Sequence, residues 1–202
     1  MSLGRISSLK ILCESSKIDL NFPNVKGITP FLLAASSGNI AALKMIKENG
    51  ANINCKSNAD EDALYMAAKN SHLECVQYLI SLGLPLNYVS KVTGCTPIGI
   101  AAYSGHLNVV KLLKYKGASL IESDIATEST PLLLSCQAGH IDIVEFLLES
   151  EEVCSYKPQY AHSPLVHSIG SKSEKLVSIL LKNKLDIDVK NEKGENLSLI
   201  HI

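Results

Sequence analysis

One phrase of about 22 residues returns along the chain at intervals of 33 or 34 positions. It is clearest at Thr96 to Gly117 (TPIGIAAYSGHLNVVKLLKYKG). It recurs from Thr29 (TPFLLAASSGNIAALKMIKENG), Asp62 (DALYMAAKNSHLECVQYLISLG), Thr130 (TPLLLSCQAGHIDIVEFLLES) and Ser163 (SPLVHSIGSKSEKLVSILLKN). A period this regular constrains the fold more than any single motif. Each unit is too short to bury an apolar face alone, so neighbours must stack into a quasi-one-dimensional array.

The phrase carries its own local structure. Thr96 offers a hydroxyl to a free N–H of a first helical turn, and Pro97 sits where a missing N–H costs nothing. Ile98, Ile100, Ala101 and Ala102 give that helix an apolar side, and Gly105 with His106 break it. Leu107, Val109, Val110, Leu112 and Leu113 then start a second apolar stripe at helical spacing, which Gly117 stops. The register predicts that Phe31, Leu64, Ile98, Leu132 and Leu165 stack on one another, as do Leu43, Val76, Val110, Val144 and Val177. Ala34, Ala67, Ala101, Ser135 and Ser168 are small where adjacent first helices must approach closely.

The period, the TPL-type helix start, the paired alanines, the Gly-His break and the closing GAN or GAS resemble the ankyrin repeat, over nearly the whole chain. The resemblance implies an all-α solenoid of stacked helix-turn-helix units joined by hairpin-like loops. Five repeats are expected at about 27–57, 58–91, 92–125, 126–158 and 159–193. Residues 1–26 hold only the second half of a repeat: Leu9, Ile11 and Leu12 match Leu43, Met45 and Ile46, and no TPL helix comes before them. Residues 194–202 open a sixth unit. The piece ahead of the first repeat keeps polar residues such as Arg5 and Lys10 between its apolar positions, as a partial cap would. Beginning and ending in mid-repeat, the chain reads as part of a longer array, with a short protein bearing degenerate caps as the alternative.

Departures gather late. The fourth repeat closes with SEEVCSYKPQYAH, without the usual Gly. The fifth puts Lys172 and Ser173 at the break, Glu174 where Leu107 and Ile141 stood, and His167 where Ile100 and Leu134 stood. The fifth unit is therefore expected to be the least regular, although Leu176, Val177, Ile179, Leu180 and Leu181 preserve its second stripe.

Composition narrows the function. With 19 Lys plus Arg against 20 Asp plus Glu, the chain has little of the phosphate neutralisation that nucleic-acid affinity requires, so nucleic acid is disfavoured as a partner. No apolar run approaches the roughly 18 residues that cross a bilayer, and no secretory leader is apparent, so membrane insertion is not expected. Six cysteines fall at different phases of the repeat: Cys13 in the N-terminal helix, Cys55 and Cys95 in loops, Cys75 and Cys136 on helices, and Cys154 in an irregular linker. They neither converge nor form CxxC, and read as free thiols of a reducing compartment, the cytoplasm or else the nucleus.

His72, His106 and His140 recur at 34-residue spacing, but equivalent atoms of stacked helices lie about 8–10 Å apart, too far for two ligands of one zinc. In the resembled family this histidine ties down the local turn. No GxSxG, HExxH, GxxxxGK[ST] or GxGxxG occurs, so no catalytic residue, cofactor site or metal site is assigned. Asp60, Glu61 and Asp62 read as a solvated loop with Asp62 capping its helix.

What remains is a surface. In such a stack the seams fix the fold, while loop tips and the exposed turns of the first helices present one concave strip. Carrying the family's contact positions over gives Val25, Lys26 and Ile28; Asn58, Ala59 and Glu61 with Tyr65 and Lys69; Val92, Thr93 and Cys95 with Tyr103; Ala126, Thr127 and Ser129 with Gln137; and Gln159, Tyr160 and His162. Tyr65, Tyr103 and Tyr160 stand out because tyrosine is enriched at binding hot spots. The alternative for each is a ring packed on its neighbour.

The expected function is a non-enzymatic scaffold that binds a partner protein through this strip, the chain itself being monomeric in isolation. One alternative is a regulatory or targeting segment of a larger protein of channel, kinase or ubiquitin-adaptor type. Another is a substrate for hydroxylation of the loop asparagines Asn54 and Asn87, which the resemblance also implies.

Overall fold

The computed structural model describes residues 19–123, 128–156, 163–170 and 173–183, with the backbone alone at 169 and 170. Every regular element among them is a helix, and the helices come in pairs: Pro30–Ser36 with Ile40–Glu48, Ala63–Lys69 with Leu73–Ser81, Pro97–Tyr103 with Leu107–Tyr115, Pro131–Ala138 with Ile141–Leu148, and Pro164–Gly170 with Glu174–Lys182. The proposed N-terminal half repeat up to residue 18, Lys172 and the 194–202 stretch lie outside the described residues.

The starts follow the capping chemistry read from sequence. The side chains of Thr29, Asp62, Thr96 and Thr130 accept from the N–H groups of Leu32, Tyr65, Gly99 and Leu133. Each of these first helices is followed by a residue of positive φ, namely Gly38, Ser71, Gly105 and Gly139, which swings the chain into the second helix. At Ser71 an ordinary side chain occupies that left-handed conformation, with φ of 63°.

Adjacent first helices pack on one another, adjacent second helices do the same through the fourth pair, and each pair closes on itself. The core is therefore a continuous seam. Phe31, Leu64, Ile98, Leu132 and Leu165 are buried in it, as are Leu43, Val76, Val110 and Val144, whereas Val177 is only half-buried. The small positions are buried too. Ser135 and Ser168 turn their hydroxyls back to the carbonyls of Leu132 and Leu165, at 2.9 and 2.7 Å, so no buried donor is left unpaired there.

The late repeats depart in a different manner from the expected irregular linker. A short helix, Glu151–Ser155, replaces the missing Gly turn and carries Cys154, because Val153 is buried against the fourth pair. The second helix of the fifth unit does form, capped by Ser173 and held by Leu176 and Leu180. A surface cleft of about 400 Å³, lined by Glu145, Leu148, Glu149, Ile179, Lys182 and Asn183, opens between it and the fourth unit.

The loops ahead of the first helices are tight and hairpin-like. Asn24 N–H donates to Ile28 O, Ser57 N–H to Glu61 O and Ser90 N–H to Cys95 O, each at 3.0 Å. They are also bonded to each other, Asn58 N–H reaching Lys26 O at 3.0 Å. Gly27 has to be glycine for this contact: it has φ of 74°, and a Cβ there would stand 2.3 Å from Asn58 Oδ1.

Candidate inner-face binding strip

The loop tips and first helices line one face. Val25 is 95 % exposed and Val92 64 %, equivalent tips two repeats apart. Between them lies Asn58, whose amide donates to Val25 O at 3.2 Å, so the tip is held rigid by its neighbour. Lys26 is exposed and Ile28 half-buried. On the last turns of the first helices, Lys69 and Gln137 are exposed and Tyr103 is 49 % exposed. Thr93 and Glu61 are half-buried at the loop bases. Thr127, Tyr160, Ala126, Gln159 and His162 lie outside the described residues.

Tyr65 does not belong to this surface. It is 1 % exposed, and its hydroxyl donates to Thr93 Oγ1 of the next loop at 3.3 Å. Its position in the repeat is that of Leu32 and Leu133, both buried, so the phase already marked it as a seam residue. Burial pushes its pKa up to about 12, because the phenolate would lose its hydration. Cys95 and Ser129, read as loop contacts, are buried as well.

Lys69 is anchored. Its ammonium lies 3.0 Å from Glu61 Oε1 and 5.9 Å from the centre of the Tyr65 ring. A half-exposed pair of this kind adds little stability, but it fixes where a charge is presented. A second cluster braces the loops of the second and third units. Asp60, at φ of 57°, accepts from Tyr88 Oη and from Lys91 N–H at 2.8 Å, and Lys56 Nζ lies 3.6 Å from the centre of the Tyr88 ring. Burial raises the Asp60 carboxyl, but these hydrogen bonds and the Lys56 and Lys91 charges outweigh it and hold the group below the ordinary aspartate range. Asp62, as expected, caps its helix, 2.7 Å from Tyr65 N.

The histidines do more than tie a local turn. His72, His106 and His140 donate from Nε2 to the carbonyls of Ser36, Lys69 and Tyr103, at 2.9, 3.0 and 3.0 Å, each in the preceding unit. Each bond satisfies a carbonyl at the end of a first helix, and two of those residues present side chains on the strip. The imidazoles are thus committed to the frame.

Leu33 is an exposed apolar residue that the repeat register does not single out. It is 59 % exposed, whereas Met66, Ile100 and Leu134 at the same position are buried. Leu134 shows why: its Cδ1 would lie 3.1 Å from a Cβ on Gly99, in the first helix ahead of it.

The hydroxylation candidates differ from each other. Asn21 Oδ1 accepts from Asn52 N at 2.7 Å and Asn87 Oδ1 from Ser119 N at 2.9 Å, a bond from each loop to the next. For Asn54, at the equivalent position, the residue in register with Asn52 and Ser119 is Pro85, which has no N–H to give. Both Asn54 and Asn87 are exposed.

A family model for ankyrin repeats in three copies matches residues 34–124 and 119–191. Among curated proteins, ankyrin repeat protein nuc-2 of Neurospora crassa is 35 % identical over 77 residues, 38 % of this chain and 7 % of that protein. The ankyrin repeat and KH domain-containing protein mask-1 of Caenorhabditis elegans is 34 % identical over 71 residues, 35 % of this chain and 3 % of that one. The alpha-latrocrustotoxin-Lt1a of Latrodectus tredecimguttatus is 33 % identical over 81 residues, 40 % of this chain and 5 % of the toxin. The matches thus span less than a tenth of each relative. Among solved structures, the human ASB11 ankyrin repeat domain superposes with a TM-score of 0.81 at 22 % identity, covering 96 % of this chain and 85 % of that one.

Proposed function

Because the chain belongs to the ankyrin-repeat family, we propose that it is a binding module that engages a partner protein through its inner face, with Val25, Lys26, Lys69, Val92, Tyr103 and Gln137 as the contact side chains. Ankyrin repeats are in general protein-interaction modules. The observation that carries this reading is the pinning of the strip: the carbonyls of Lys69 and Tyr103 are held by histidines of the following units, and the tip at Val25 by Asn58. A preformed surface loses little conformational freedom on binding. No group of three metal-ligating side chains occurs among the described residues, and none of their helices is long and apolar enough to cross a membrane.

The test replaces Lys69, Val92 and Tyr103 together by Ala, Ser and Ala, leaving Tyr65 in place. Proteins captured by the parent chain are compared with those captured by the variant, alongside thermal unfolding of both. Loss of a partner at unchanged stability supports the strip. The same partners bound with the same affinity would refute it.

A second reading rests on Asn54, which is exposed and lacks the loop-to-loop bond that holds Asn87. It is the position best suited to asparaginyl hydroxylation. Intact mass of protein from its native source, showing one added oxygen that maps to Asn54, would support it, and an unmodified mass would end it.

A further inference from the structure

The face opposite the strip is built from the second helices, and its charge is sorted by unit. Over Leu107–Tyr115 and the turn after it, the ionised side chains are Lys111, Lys114 and Lys116, with no carboxylate among them. The next unit is the reverse: from Pro131 to Tyr156 there is no Lys or Arg, while Asp142, Glu145, Glu149, Glu151 and Glu152 are all exposed. The two ridges lie side by side yet do not neutralise each other. Lys111 and Lys114 point their ammonium groups at the Phe146 ring, 5.4 and 4.6 Å from its centre. The ion pairs within 4 Å among the described residues, Lys56–Asp60 and Lys69–Glu61, are elsewhere.

Register makes the sorting self-complementary. Lys111 and Glu145 are 34 residues apart and occupy the same place on their helices, as do Tyr115 and Glu149, and Leu112 and Phe146. A two-fold axis parallel to these helices and midway between them carries the basic ridge of one copy over the acidic ridge of the other, twice. Lys111 then faces Glu145 of the second copy at the same height. Tyr115, 84 % exposed, brings its hydroxyl to Glu149 of that copy, with the half-buried Leu112 and Phe146 forming an apolar centre. One unit further out Glu74 comes opposite Lys175, which has Glu174 beside it. The other in-plane two-fold axis, perpendicular to the helices, would set each ridge against its own like charges.

We propose that the chain self-associates through this outer face, as a two-fold dimer of the third and fourth units. The interface is small and charge-dominated, so the dimer is weak and salt-sensitive. It is separate from the inner-face strip, and its failure or success leaves the strip's role to the strip's own experiment.

The test is sedimentation velocity of the full chain at about 100 µM, in about 50 mM and about 500 mM salt. A dimer is expected at low salt, with the dimerisation constant falling at least about tenfold at high salt. Reversing one ridge (Lys111→Glu with Lys114→Glu) or the other (Glu145→Lys with Glu149→Lys) should give monomers, because each variant then carries two like-charged ridges. Mixing the two variants should restore a dimer, now a heterodimer, which mere surface damage cannot do. Circular dichroism of each variant checks that these substitutions, at exposed and half-buried positions, leave the fold intact. A parent chain that remains monomeric at low salt overturns the proposal. So does a dimer that ignores both reversals, or a mixture that does not reassociate.

Discussion

His140 reaches back 37 residues to donate from Nε2 to the main-chain carbonyl of Tyr103, 3.0 Å away, while its ring lies over Gly105. One side chain thereby closes the end of a first helix, fills the turn after it and joins two units. Removing it takes away the Tyr103 carbonyl's side-chain partner and the ring that covers Gly105. His140→Ala is expected to cost about 1–2 kcal/mol, read as a lower midpoint in urea at unchanged slope. An unchanged midpoint would mean that water replaces the imidazole at no cost.

The same contact separates two otherwise matched glycines. Gly105 and Gly139 both have positive φ, 79° and 76°, but a Cβ on Gly105 would sit 2.7 Å from His140 Cε1, whereas among the described residues nothing lies within 4 Å of one on Gly139. Gly139→Ala should therefore carry only the left-handed backbone penalty, about 1–2 kcal/mol. Gly105→Ala should carry that and the displacement of the imidazole, about 2 kcal/mol more. Combining Gly105→Ala with His140→Ala should recover part of the sum, a coupling that a double-mutant cycle in urea measures directly.

The contrast also shows what could be read in the sequence. The fold was legible because the period fixes which residue stacks on which: Phe31 over Leu64 over Ile98 needs no coordinates. The capping of Ala63–Lys69 by Asp62 was legible for the same reason, since the chemistry is local. The direction of a side chain across the seam was not. The motif places Tyr65 on the first helix among the contact positions, but Thr93 of the next loop offers its hydroxyl a partner only once the units are stacked. The resemblance makes His72, His106 and His140 local ties, yet each bond spans 36 or 37 residues. Such pairs become neighbours through the stack, and nothing in the spacing says toward which neighbour a ring will turn.

Ser71 stands where Gly38, Gly105 and Gly139 stand, and holds the same left-handed backbone with φ of 63°. A residue with a Cβ is strained there by about 1 kcal/mol or somewhat more. Ser71→Gly is expected to recover about 0.5–1 kcal/mol, the entropy of the added glycine in the unfolded chain offsetting part of the relief. Thermal unfolding should show a melting temperature raised by a few degrees. A lowered one would indicate that the Ser71 side chain makes a contribution of its own to the turn.

Tyr65 gives the stack a defined response to alkali. Its phenol is buried, donates to Thr93 Oγ1, and has its pKa pushed up to about 12 from an ordinary 10.0. The folded state therefore holds this proton more tightly than the unfolded one. Its contribution is complete below pH 10 and is lost as pH rises from 10 toward 12, by on the order of 2 kcal/mol in all. Tyr65→Phe removes the titration along with one hydrogen bond. The variant should be less stable than the parent by about 1 kcal/mol at neutral pH, yet lose less stability between pH 10 and 12, so that the two urea midpoints converge and then cross. Parallel curves over that range would show that Tyr65 ionises as freely in the stack as in the unfolded chain.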